Sequence, residues 1–159
     1  MNVWKPVICD VYIHDKTDGA CLKQAWRIIR EIDVEALDSP SSYQGYVGLN
    51  VTRLTGMMAV MRLRDVKIRA SNVPIRYRDF PNITVNDATR IIENTTFAAG
   101  AKVTYSTWRG ASCPLFWLFE VAYPHEESAG ACRLVDRLDG HIWEGEEAGE
   151  YNHDYNNMF

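Results

Sequence analysis

Leu22, Ala25, Trp26, Ile29, Ile32 and Ala36 recur at i, i+3, i+4 and i+7, a spacing that gathers one apolar stripe only if residues 22–36 are helical. Arg27, Arg30, Glu31 and Glu35 fall on the other side, with Arg27–Glu31 and Glu31–Glu35 as i,i+4 neighbours. Asp18 stands where an N-cap belongs, and Ser39-Pro40 ends the run. Such a stripe must be buried against something apolar. The chain on its N-terminal side, Pro6-Val-Ile-Cys-Asp-Val-Tyr-Ile-His14, is β-branched and aromatic, and Asp15-Lys-Thr-Asp-Gly19 is turn chemistry. The pattern therefore predicts a helix lying on a sheet.

Strand signals continue downstream. Tyr46–Val51 and Gly56–Leu63 predict paired strands around Thr52–Gly56, with Met57, Met58 and Met61 packing from strand positions. The apolar phase is odd at Met61 and Leu63 and even at Val66, Ile68 and Ala70, so a bulge or turn is expected at Arg64-Asp65. Asn72–Tyr77 predicts a short strand that Pro74 confines to an edge or an end. Thr84-Val-Asn-Asp87 has the form of a capping box, in its Asp variant, opening a second helix to about Asn94 with Val85, Ala88, Ile91 and Ile92 on its buried face. Lys102–Trp108, Leu115–Tyr123 and Ala131–Asp136 predict three more strands, and Asp139-Gly140 a hairpin turn into His141-Ile-Trp143. Trp108, Trp117 and Trp143 then form the packed face of this last sheet. The expected class is α+β, two amphipathic helices packed on a mostly antiparallel twisted sheet of about six to eight strands. Residues 1–143 are expected to form a single domain, and 144–159 an acidic C-terminal tail.

Charge divides the chain. Residues 53–78 hold Arg53, Arg62, Arg64, Lys67, Arg69, Arg76 and Arg78 against Asp65 alone, a net of +6, whereas residues 119–159 carry ten acidic and two basic side chains, a net of −8. The acidic end predicts a surface for a basic partner protein, with Trp143 as an aromatic anchor among Glu144, Glu146, Glu147 and Glu150. The basic stretch offers an alternative, a small-molecule binding protein or enzyme with Arg76, Arg78 and His141 around an anionic ligand. Nucleic acid is disfavoured, because its affinity comes from many phosphate contacts and the net charge of −4 opposes them. No apolar run approaches the roughly 18–20 residues of a membrane helix, so no membrane partner is expected.

Catalytic chemistry is not written in the sequence. His14, His125, His141 and His153 each neighbour an acid, but none forms a His-x-His or His-Glu-x-x-His spacing, so neither a metal site nor a catalytic histidine is predicted. The glycines are scattered, with no Walker loop, dinucleotide fingerprint or nucleophile elbow, so no cofactor is expected. Cys113, between Ser112 and Pro114, has no base readable beside it. Cys9, Cys21, Cys113 and Cys132 contain no Cys-x-x-Cys, and no secretion signal is visible, which together predict reduced thiols and a cytoplasmic protein. A second alternative is a secreted protein with Cys9–Cys21 and Cys113–Cys132 disulfides, suggested by three sequons at Asn50, Asn82 and Asn94.

The stretch from Ile83 to Trp143 reads as a helix and an antiparallel meander ending in Leu134-Val-Asp-Arg-Leu-Asp-Gly-His-Ile142. That phrase resembles the closing hairpin of PepSY-type domains and of a YrhB-like bacterial immunity family, which set a Val-Asp-x-x-x-Gly turn after a strand like Trp117-Leu-Phe-Glu-Val121. The resemblance implies a non-catalytic domain that binds or inhibits another protein, and it carries over no catalytic residue. The expectation is a bacterial, cytoplasmic interaction protein of immunity or inhibitor type, with a homodimer as a further form.

Overall fold

The computed structural model describes residues 7–33, 41–95, 100–106, 113–123 and 131–158. In chain order the elements are β1 (Ile8–Asp18), α1 (Gly19–Ile32), β2 (Ser42–Tyr46), β3 (Val51–Thr52), α2 (Arg53–Asp65), β4 (Ala70–Pro74), α3 (Ile75–Asp79), α4 (Val85–Glu93), β5 (Lys102–Tyr105), β6 (Phe116–Ala122), β7 (Ala131–Asp136) and α5 (Glu147–Asn156). The class is α+β with antiparallel pairing, as predicted. The strands form two sheets rather than one. Likewise, the chain divides into two compact units, Met1–Arg78 with Gly149–Phe159, and Asp79–Ala148, where the sequence predicted one domain over 1–143. The local signals for each strand carry no information about which sheet it joins.

In the first unit β1 is the hub. Cys9 faces both Val51 and Pro74, and Tyr12 faces both Tyr46 and Ser71, so β2 and β3 share one edge of β1 and β4 takes the other. Pro74 closes β4, where its missing N–H costs no ladder bond. The stripe of α1 buries Leu22, Ala25, Trp26, Ile28 and Ile29 with Val11 and Ile13 of β1 and Ala59, Val60 and Leu63 of α2. Fully burying each Leu, Ile or Val side chain of this set yields roughly 1.5–3 kcal/mol. Ala36 and Ser39-Pro40 lie outside the described residues, and α1 is described to Ile32.

The predicted strand 56–63 is a helix. Gly56, Ala59, Val60 and Leu63 are its buried residues, at i, i+3, i+4 and i+7, and the Thr52 hydroxyl caps it by accepting from the Thr55 N–H. Met58 and Leu54 face water, and these outward apolar residues blurred the stripe. The phase switch at Arg64-Asp65 is the end of this helix. Lys67, at φ 66°, turns the chain, and the Ile68 N–H reaches back to the Leu63 carbonyl.

Gly56 is required by its neighbour. A Cβ there would lie 2.1 Å from Oδ1 of Asn72. Asn72, fully buried on β4, donates its side-chain amide to the carbonyls of Arg53 and Tyr155, gives its backbone N–H to Oδ1 of Asn156, and accepts from the Tyr151 hydroxyl. The last three partners lie on α5. Residues 144–159, expected as a tail, thus include a helix whose C-terminal part joins the first unit through buried hydrogen bonds. The acid-rich composition hid this, because the docking groups are Tyr and Asn rather than an apolar stripe.

In the second unit β6 lies between β5 and β7. Helix α4 opens with the predicted capping box, Thr84 and Asp87 exchanging side-chain-to-backbone bonds, and buries Ala88 and Ile92 against Phe119, Val121 and Val135. Trp117 shares this face, donating its indole N–H to the Ile83 carbonyl beneath the Arg137 guanidinium. Phe116 and Leu118 alternate onto the opposite face, where Trp143 packs edge-on against Phe116. Trp117 and Trp143 therefore serve different faces, correcting the single packed face expected of them; Trp108 lies outside the described residues.

Gly56→Ala is expected to destabilise the protein by about 1–3 kcal/mol, because the added methyl overpacks a filled site. Urea unfolding monitored by tryptophan fluorescence would show it as a lower midpoint with an unchanged slope. Ala59→Gly, costing about 1 kcal/mol through helix propensity and lost burial, calibrates the scale.

Candidate functional site

The predicted hairpin forms after β7. Gly140, at φ +77°, makes the turn, the Gly140 N–H bonds the Asp136 carbonyl, the Asp136 N–H bonds the His141 carbonyl, and Val135 bridges Ile142. A Cβ on Gly140 would meet Ile91 of α4 at 2.8 Å, so this glycine supplies both the backbone conformation and the clearance.

The turn gathers acids around one imidazole. Asp136, 1% exposed, accepts the Leu138 N–H at 2.8 Å through Oδ1 and the Trp143 indole N–H at 2.9 Å through Oδ2. His141 meets Asp139 Oδ1 through Nδ1 at 2.6 Å and Glu147 Oε2 through Nε2 at 2.6 Å, and its Nδ1 is 3.9 Å from Asp136 Oδ2. Partial burial pulls the His141 pKa down, but the bonds from Glu147 and Asp139 and the charges of Glu147 and Asp136 outweigh it and raise it above 6.5. Burial pushes the Asp139 carboxyl up, and the hydrogen bonds and charge of His141 more than reverse this, holding it below 3.8. Glu147 also accepts the Glu144 N–H, which closes the turn leading into α5.

Of the predicted partner-binding residues, Trp143 is corrected. It is 7% exposed, held by Phe116, His141 and Asp136, and offers no anchor to a partner. The sequence could not show that a buried carboxylate would claim its N–H. Glu147 is committed to His141, while Glu144, Glu146 and Glu150 are exposed and form no ion pair with a described residue. Of the predicted anion-binding residues, His141 is engaged by carboxylates. Arg78 is bound to Asp10, to the Leu49 carbonyl and to Asn50, and exposed Arg76 lies over the Tyr77 ring. Asp136 and Asp139, the groups that make this cluster, were not singled out by sequence; Asp-x-x-Asp-Gly-His is the signal that carried them.

Much of the rest of the basic run is also spoken for. Arg53 bonds the Asp154 carbonyl, Arg62 pairs with Glu31, Arg64 bonds the Asn156 carbonyl, and Arg69 pairs with Asp15 at 3.3 Å. His14 is buried on β1, its Nε2 2.6 Å from the Ser71 hydroxyl, and burial first, then Arg69, lowers its pKa to about 4. His153 pairs with Asp154 at 3.0 Å, and His125 lies outside the described residues.

All four cysteines are free thiols, and the Cys9–Cys21 and Cys113–Cys132 disulfides of the secreted alternative are not formed. Burial pushes Cys9 and Cys113 up to about 12, which removes the thiolate a nucleophile needs. Two sequon threonines, Thr52 and Thr84, are the N-caps of α2 and α4, a structural use for those residues. Comparison with protein-family models, curated proteins and solved structures finds no match to this chain.

Because its folded-state pKa is raised, His141 contributes stability that is present below pH 6.5 and lost as pH rises through the folded value. An NMR titration of the ring is expected to give a midpoint above 6.5, falling in Glu147→Gln. Exposed Cys21 and Cys132 should react with a thiol reagent in the native state, and Cys9 and Cys113 only after denaturation; four rapid thiols would contradict the burial of Cys9 and Cys113.

Proposed function

We propose that this chain is a non-catalytic, protein-binding domain of immunity or inhibitor type that engages a basic partner protein through the exposed acids of its C-terminal segment. The observation that carries the proposal is the unequal use of charge. Arg53, Arg62, Arg64, Arg69 and Arg78 are satisfied by acceptors of their own unit, whereas Glu144, Glu146 and Glu150 have no ionic counterpart among the described residues. Unspent charge of one sign steers a partner of the other sign and selects against like-charged surfaces. Glu144 and Glu146 stand beside the fixed His141–Glu147 bond, so the backbone that presents them is held before a partner arrives.

The anionic-ligand alternative gains nothing comparable. It asks Arg78 to leave a buried carboxylate, a break that costs about 3–5 kcal/mol. Among the described residues, no helix is long and apolar enough to cross a membrane. The four free thiols accord with a reducing, cytoplasmic setting, and the hairpin resemblance with a bacterial source.

The test starts from a tagged pull-down at moderate salt from the native host, followed by affinity measurement on the captured partner. Glu144→Lys with Glu146→Lys is expected to weaken binding by about tenfold or more and to flatten its salt dependence, while Glu93→Lys on α4 leaves both close to wild type. Unchanged affinity in the double reversal would overturn the acidic-surface proposal.

A further inference from the structure

We propose that α5 is a removable guard on the outer edge of β4, and that with α5 lifted two copies of this chain pair through that edge. This goes beyond the partner-binding proposal and does not rest on it. The register decides which groups of β4 look outward. The His14 N–H bonds the Arg69 carbonyl, so the backbone groups of residues 69, 71 and 73 face β1, and those of Ala70, Asn72 and Pro74 face away. Asn72 stands at the centre of the strand with an N–H and a carbonyl both directed outward. Side chains of α5 take both groups. Asn156 Oδ1 accepts the Asn72 N–H at 2.8 Å, and the Tyr151 hydroxyl donates to the Asn72 carbonyl at 2.9 Å. An amide and a phenol thus fill the place where a neighbouring strand would bond. All of these residues belong to the first unit.

What holds α5 there is polar. Its buried residue is Asn156, Tyr151 and Tyr155 are half-buried, and it has no apolar stripe. Its other ties run to carbonyls, from Asn72 Nδ2 to Tyr155 at 2.9 Å and from the Arg53 and Arg64 guanidinium groups to Asp154 and Asn156. Helix α1, by contrast, buries Leu22, Ala25, Trp26, Ile28 and Ile29. Hydrogen bonds exchanged for bonds to water cost little to give up, so α5 lies at the low end of the local stability range. The edge it covers is self-complementary. Two β4 strands laid antiparallel about a two-fold axis at Asn72 exchange Asn72 N–H to carbonyl bonds, and each Ala70 N–H meets the Pro74 carbonyl of the other copy. Pro74, which has no N–H, is asked only to accept. A row of unpaired backbone groups is a template for another chain, and covering it is how a fold prevents such pairing.

Native-state hydrogen exchange on the full chain tests the lifting. The amides of Asn72, Tyr155 and Asn156 are expected to exchange together, about 100-fold or more faster than the amides of β1 after correction for intrinsic rates, and with little dependence on low urea. Exchange of all three only together with β1, through global unfolding, overturns the proposal. Sedimentation velocity tests the pairing. Tyr151→Phe with Asn156→Ala, its circular dichroism native, is expected to add a concentration-dependent dimerisation that the wild-type chain lacks. Ala70→Pro removes an outward N–H that β1 does not use, and adding it is expected to restore the monomer. A double variant that stays monomeric at every concentration, or a dimer that Ala70→Pro leaves intact, also overturns the proposal. The exchange measurement needs no substitution, so it decides even where the double variant fails to fold. Neither measurement touches Glu144 or Glu146, so the two proposals fail separately.

Discussion

A carboxylate taken out of water must find donors or a cation, and each unit is arranged around one that does. In the first, Asp10 on β1 is wholly buried and accepts the N–H groups of Val11, Gly48 and Leu49 and the Arg78 guanidinium at 2.9 Å. That one side chain fixes the chain from Gly48 to Leu49 against β1 and holds the end of α3, while Arg78 also binds the Leu49 carbonyl and Asn50. In the second, Asp136 at the end of β7 is buried with an indole N–H, a backbone N–H and a nearby imidazole. A buried charge without such company costs several kcal/mol, so these constellations hold their geometry against alternatives.

Structural charge and available charge are separate populations in this fold. Arg62, Arg64, Arg69 and Arg78 look in the sequence like a basic patch, yet each is drawn to an acid or a carbonyl of its own unit. The acids at Glu144 and Glu146 follow a hairpin in which His141 is already engaged by Asp139 and Glu147, and they remain facing solvent. Charge available to a partner is what the fold leaves unsatisfied, not what composition counts. The same hairpin shows how a fold adds chemistry that spacing does not announce. Asp136, His141 and Glu147 are five and six residues apart and converge because the turn and the start of α5 fold back on each other.

Several elements were legible because their causes are local. The stripe of α1, the capping box of α4, the β-rich run of β1 and the Asp139-Gly140 turn depend on residues within a few positions of one another, and all are present. Helix α2 was misread because Gly56 suggests a turn and Leu54 and Met58 spread apolar side chains onto its outer face. Its glycine answers to Asn72, sixteen residues away on β4, a fact no local window contains.

Periodicity, caps, turn residues and charge were thus enough, by themselves, to set the α+β class, the place of most elements and the concentration of acidic residues toward the C-terminus. Only the tertiary structure decided that the strands divide between two sheets, that residues 147–156 form a helix tied to Asn72, that Trp143 is buried, and that His141 sits among three carboxylates. The reason is physical. Local structure follows from short-range backbone sterics and side-chain spacing, whereas the partner of a buried polar group is whichever donor or acceptor the folded chain brings within about 3 Å of it.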